Sequence, residues 1–431
     1  MVSVSSVFES ISSAIRRLGG FDRQIWMLFA AEIINVFGTS IIRTFLAVYM
    51  LTDLHISPFL IGVTLFVSSL AGAVASYAGG SIADAHGRKR VLVIGLTLQI
   101  VAYLLISFSL DAQVPFLALV AVLTLSSLVG GIYQSVPDVM VADVVEPGRR
   151  VEAYGLLRIG ANLGWVIGPV AGGMLLLIMP FSWVFLLSAI TTSIYLLIAL
   201  FELRETKVTQ KTVLLKLSDV WYIIKDTPFF LYTLIAALMI IPYQQMYTLL
   251  SMYSADIVGL NDFWIGVTFA LSGAMVVLFQ YVISLRVRNH RLTNALAFSN
   301  VVFAIGFAVL VFSSHPVMPF ICVAIATVGE MIWSPAGSTM QANLAPEDRR
   351  GRYFGFAGLV VSFGFACGPL FGGTLMGTFG DNIPVMWGIV CALFLVCGAG
   401  FLLLNRFVPE TANAPRGPDK LEKKLEVPVQ A

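Results

Sequence analysis

Five ionisable residues, Glu32, Arg43, Asp138, Arg158 and Glu330, fall inside otherwise apolar runs. A charge held at bilayer depth costs about 2.5–3.5 kcal/mol on insertion scales, so each needs a partner or a water-filled cavity. Asp138 and Arg158 lie equally far on either side of Gly148, which puts them at one level of an antiparallel helix pair. They are expected to pair, either within a coupling site or as a structural bond between helices. Glu32, roughly 10 Å into the membrane at the helical rise, competes for Arg158. Arg43, roughly 27 Å in, and Glu330, roughly 20 Å in, make a second candidate pair in the outer half, unless Arg43 snorkels to the outer surface. Tyr243, Gln244, Gln245 and Tyr247 stand near that level. Together with Asn35 and with Asn162, near the midplane, they are candidates to line a substrate cavity. The chemistry within reach is proton exchange: a Glu330 carboxylate exposed first to one side and then to the other takes up and releases a proton, unless it is permanently paired.

Such residues must be carried by membrane-spanning helices. Of the 431 residues, 58% are hydrophobic and 12% charged, whereas soluble domains run to about 25% charged. Apolar runs of spanning length predict twelve crossings: 25–51, 58–83, 91–110, 114–141, 152–179, 181–203, 228–253, 263–285, 293–312, 317–341, 352–378 and 384–404. The loops test that count, because a missed crossing would put basic residues on alternating sides. Arg16, Arg17, Arg23, Arg88 to Arg90, Arg149, Arg150, Lys207 to Lys225, Arg286 to Arg291, Arg349, Arg350 and the stretch after Arg406 all fall on one side. The other side carries Asp53, Asp111, Asp256, Asp262 and Asp381. Both termini are therefore expected in the cytoplasm, in a multi-pass protein of the cell (inner) membrane. Basic residues spread by loop, at a net charge of +2, do not form a nucleic-acid-binding face.

The expected organisation is a cytoplasmic segment 1–24, a six-helix half 25–203, a cytoplasmic central loop 204–227, a second six-helix half 228–407 and a solvated tail 408–431. Phe8, Ile11, Ile15 and Leu18 recur at helical spacing, which reads as an amphipathic surface helix or a disordered leader. In the central loop, Leu214, Leu217, Trp221 and Ile224 share one helical face and suggest a helix resting on the interface.

A glycine pattern occurs twice. Gly155, Gly164, Gly168, Pro169, Gly172 and Gly173 return as Gly355, Gly364, Gly368, Pro369, Gly372 and Gly373, each 200 residues later. Arg149-Arg150 likewise returns as Arg349-Arg350, and Ile61 to Thr64 is echoed by Ile265 to Thr268. An even number of crossings separates the copies, so the fold expected is all-α, with twelve transmembrane helices in two parallel-repeat halves. Glycines four and eight apart let another backbone approach closely, and Gly-Pro weakens the helix. The face can serve packing, a hinge, or both.

The segment Gly80-Ser-Ile-Ala-Asp84-Ala-His-Gly87-Arg88-Lys89-Arg90 resembles the cytoplasmic signature of the major facilitator superfamily, and the resemblance covers essentially residues 25 to 407. It implies an inside gate formed by the equivalents of Asp84 and Arg88 with an acidic residue ending the fourth helix, here Asp143. The run Gly155 to Gly173 is similar to the fifth-helix motif of the family's drug/proton antiporters, which implies export. Two positions depart from the family pattern. Ser126 and Ser127 stand where proton-linked members carry an arginine, and the second gate copy reads Ser284-Leu-Arg-Val-Arg288.

The histidines (His55, His86, His290 and His315) fall in or beside loops on both sides, and the cysteines (Cys322, Cys367, Cys391 and Cys397) lie within apolar runs. Neither a metal site, a disulfide framework nor an enzyme's nucleophile–base constellation follows. No GxxxxGK loop points to ATP, and no cofactor is expected. The reading is a monomeric secondary transporter that moves a small organic solute by alternating access. Proton-coupled efflux of amphipathic or drug-like compounds is favoured; uptake of a metabolite or a transport-dead sensor are the alternatives.

Overall fold

In the computed structural model, residues 20–146, 149–206, 217–346 and 349–414 are described. The apolar runs form α1 (Arg23–Thr52), α2 (Pro58–His86), α3 (Arg88–Asp111), α4 (Phe116–Gln134), α5 (Val136–Val144), α6 (Arg150–Leu176) and α7 (Ser182–Phe201). There follow α8 (Leu217–Lys225), α9 (Thr227–Tyr243), α10 (Leu249–Asp256), α11 (Asp262–Val287), α12 (Leu292–Phe312), α13 (Met318–Leu344), α14 (Arg350–Phe379), α15 (Ile383–Leu404) and α16 (Glu410–Asn413). Among the described residues, twelve helical spans are long and apolar enough to cross a membrane, with α4–α5 and α9–α10 each making one span. The chain is an all-α, multi-pass membrane protein. Proline breaks two of the spans by removing an amide donor: Pro137 stands in the first turn of α5, and Pro242 stands one residue before α9 ends. Pro335 breaks nothing. The carbonyl it leaves unbonded, that of Met331, accepts from Gln280 Nε2 of α11 at 3.0 Å, and α13 runs on.

Two compact units form. One comprises residues up to Leu214 with Leu250–Gly273, and the other Leu215–Leu249 with Ala274 onward. Residues 250–273 thus pack with the first unit, whereas the sequence groups them with the half 228–407. Small residues make this possible, since a Cβ on Gly266 would lie 2.8 Å from the carbonyl carbon of Pro169 and one on Gly273 would meet Val166 at 2.5 Å.

The same pairings recur inside each unit. In the first, α6 packs on α1, α7 on α1 and α3, and α4 on α3; in the second, α14 packs on α9, α15 on α9 and α12, and α13 on α12. The repeated glycines sit in matched contacts. A Cβ on Gly164 would lie 2.8 Å from the Phe37 amide nitrogen of α1, and one on Gly364 2.5 Å from the Ala237 carbonyl oxygen of α9. Gly168 backs onto Ser40 and Gly368 onto Gln244, one repeat apart in each pair. Gly155 departs from the pattern, with nothing within 4 Å of a Cβ placed on it.

Three segments outside the spans differ from expectation or lie beyond view. The Phe8–Leu18 helix falls outside the described residues. In the central loop α8 is present, but it buries Ile223 (1% exposed) with Val220 and Ile224 against Phe229, Tyr353 and Phe356. Trp221, on the face expected to rest on the membrane interface, is 62% exposed on the protein surface. Asp219 accepts from Arg352 at 2.7 Å and Asp226 from the Tyr353 hydroxyl at 2.9 Å, and these bonds fix the roll of the helix. The tail, expected to be solvated from residue 408, turns back as α16 with Ala412 and Asn413 buried. Residues 415–431 lie outside the described part.

Candidate functional site

In the second unit, the break after Pro242 tightens Gln244–Met246 into a 3-10 turn and brings Tyr243 and Tyr247 together. Their hydroxyls are 3.2 Å apart and their rings meet edge to face at 5.8 Å. The Glu330 carboxylate of α13 lies within electrostatic reach of the Tyr243 hydroxyl. One helical turn beyond Glu330, Trp333 stacks on Tyr243 at 6.3 Å, and Phe303 of α12 meets the same ring edge-on at 5.7 Å. The site is a half-buried carboxylate bounded by rings, and each phenol has one hydrogen to give.

Of the two glutamines expected in a cavity here, Gln244 is half-buried and Gln245 is placed otherwise. Gln245 is fully buried and donates to the carbonyls of Ile241 at 2.6 Å and Gly368 at 2.9 Å, so it ties α14 to the broken end of α9. Gln244 lays its Cβ against Gly368.

The first unit carries a second group of charges. Asp138 stands in the first turn of α5, where free amides favour a carboxylate. Glu32 of α1 lies within electrostatic reach of Asp138, and the buried Tyr195 lies in the field of both. The Tyr154 hydroxyl donates to the Asp138 carbonyl at 2.9 Å. Arg158 is on α6 with its side chain exposed. Asn162 is half-buried on the same helix, and Asn35 on α1 keeps a buried Oδ1 without a hydrogen bond among the described residues. Arg43 is exposed on α1, with the buried Tyr103 in its field. Its expected partner Glu330 belongs to the other unit.

A third constellation joins α2, α3 and α5 at the N-terminal end of α3. Gly87 separates α2 from α3 with φ +97°, a conformation that a side chain would strain. The turn buries Arg88 completely, ion-paired with Asp84 and with Asp143 at 3.4 Å. Here the expected gate residues are brought together. Gly80 is buried in α2, and the Lys89 ammonium donates to the Leu200 carbonyl at 2.7 Å. Two partners escape the sequence reading: Glu205 accepts from the Lys89 amide at 3.1 Å, and the Thr206 hydroxyl donates to Asp143 at 2.9 Å. Both lie in a short polar stretch with no periodicity, so nothing in the sequence sets them apart.

The model of the Major Facilitator Superfamily matches residues 28–334 and 287–429. Among relatives, the chain is 25% identical to a Na(+), Li(+), K(+)/H(+) antiporter of Planococcus maritimus, over 92% of this chain and 94% of that one. It is 23% identical to multidrug resistance protein MdtH of Yersinia enterocolitica, over 86% and 89% of the two chains. A crystal structure of a peptide transporter, POT, in complex with sulfate superposes with a TM-score of 0.74 at 16% identity, covering 90% of this chain and 96% of that one, a likeness of fold. With twelve apolar spans and a family match along nearly its whole length, the chain belongs to the Major Facilitator Superfamily and is a membrane transporter, not an enzyme.

Proposed function

We propose that the protein is a proton-coupled exporter of amphipathic, drug-like compounds, working as a monomer in the cell (inner) membrane by alternating access with both termini cytoplasmic. The observation that carries this reading is the Glu330 carboxylate within electrostatic reach of Tyr243, whose ring stacks on Trp333, on membrane-spanning helices of one unit. Rings give an amphipathic compound an apolar, polarisable wall, and with a carboxylate they favour a positive charge. Substrate and proton then compete for Glu330, which makes their movements opposite. The names of the two relatives support antiport and multidrug export. The glycine faces support a hinge between α1 and α6 and between α9 and α14. Arg158 serves the Glu32 and Asp138 carboxylates, and the Asp84–Arg88–Asp143 group closes the cytoplasmic side.

The test is ethidium accumulation in everted vesicles energised by respiration. Glu330→Gln is expected to abolish uphill accumulation while downhill movement continues. Uphill accumulation equal to wild type would overturn the assignment of Glu330. A second reading, exchange of a small monovalent cation for protons, is favoured by the approach of Glu32 to Asp138 and by the cation/proton antiporter relative. Sodium-driven dequenching of a trapped pH dye, in vesicles that ignore ethidium, is the outcome that selects it.

A further inference from the structure

The third crossing of each unit begins with an amide that is bonded from far along the chain. In the first unit, α3 presents the amide of Lys89, its second residue, to the Glu205 carboxylate, from the segment that leaves α7. In the second unit, α12 presents the amide of Thr293, also its second residue, to Asn413 Oδ1 at 3.0 Å, from the segment that leaves α15. The amides lie 204 residues apart, the offset that also separates Ile61 from Ile265, and in each unit the stretch after the last crossing folds back onto them. The repeat therefore extends beyond the spans into what reads as loop and tail.

The two copies differ in chemistry. Asn413 is neutral and 3% exposed, and it donates to Asn405 Oδ1 at 2.7 Å and to Thr293 Oγ1 at 3.0 Å, so every bond stays within a neutral cluster. Glu205 is charged, approaches Gly87 so closely that a Cβ there would lie 2.8 Å from its carboxylate, and is followed by Thr206, which bonds the gate residue Asp143. We infer that Glu205 and Thr206 are positioning residues of the gate: the segment leaving α7 is a releasable clasp that holds α3 and Asp143 in the geometry Arg88 requires, whereas its counterpart at Asn413 is a fixed anchor. This rests on the alternating-access reading above.

The clasp is tested by labelling from its own side of the membrane. In a background with the four native cysteines replaced, the thiol introduced by Asn162→Cys is reacted with an impermeant maleimide in everted vesicles. Glu205→Ala with Thr206→Val is expected to raise the labelling rate about fivefold, the effect of losing one or two net hydrogen bonds from the closed state. Glu205→Gln with Thr206→Ser keeps an acceptor and a donor in place while making the clasp neutral like its counterpart, and is expected to label no faster than wild type. A merely structural segment would lower the melting temperature without this difference in labelling. If Arg88→Ala raises the rate and the Glu205→Ala, Thr206→Val pair does not, the gate stands and the clasp is overturned. If neither raises it, the alternating-access reading fails and the clasp with it.

Discussion

Asn413 and Glu410 sit three residues apart on the same helical turn and should matter very differently. The Asn413 carboxamide is buried, so removing it takes the acceptor from the Thr293 amide and one of two donors from Asn405 Oδ1, at a cost of about 1–3 kcal/mol. The Glu410 side chain is 89% exposed, 3.4 Å from an Arg291 that is 49% exposed, and such surface pairs contribute about 0–1 kcal/mol. Asn413→Ala is therefore expected to lower the apparent melting temperature in detergent clearly, and Glu410→Ala hardly at all; equal shifts would contradict the burial argument. The same contrast explains which residues are legible in the sequence. Glu330, Asp138 and Glu32 stand out because a charge in an apolar run is costly and needs a reason, and Asp84, Arg88 and Asp143 do because a spaced pattern carries them. Asn413, Glu205 and Thr206 are polar residues in polar stretches, where the cost of burial cannot be seen until the chain has folded back. Gln245 misleads for the opposite reason: a glutamine in a span suggests a cavity, but its side chain is buried and its Nε2 donates to the Ile241 and Gly368 carbonyls.

At the scale of elements, the spans are legible because length and apolarity suffice to identify them. The roll of a short helix is less so. α8 shows this, since the bonds from Arg352 and Tyr353 turn Ile223 inward, a residue that the spacing of Leu217, Trp221 and Ile224 does not single out. The repeated glycines make a sharper test, because the sequence treats them as equivalent and the structure does not. A methyl group on Gly364 would press on the Ala237 carbonyl oxygen, and backbone cannot yield as a flexible side chain does. Gly364→Ala is expected to destabilise by about 1–3 kcal/mol and to reduce transport. Gly155→Ala, with open space around it, is expected to be neutral or to stabilise by up to about 1 kcal/mol through helix propensity alone. Thermal denaturation and ethidium accumulation of the two variants check this; parallel losses would mean that Gly155 acts through a contact made in another conformation.

For the whole molecule, the repeat, the twelve spans and the family are all present in the sequence, because each is written in spacing that folding preserves. The division into compact units is not, since residues 250–273 join the first unit through close glycine contacts that no hydropathy pattern records. The proposed function turns on the opposition of a proton and a substrate at Glu330. Purified protein in liposomes with a trapped pH dye, given lipophilic cations, sugars, organic acids and amino acids one at a time, measures that opposition directly. Lipophilic cations alone should drive proton movement opposite to their own, and the signal should vanish with Glu330→Gln. Proton movement in the same direction as the solute, or a signal that survives that substitution, would contradict it.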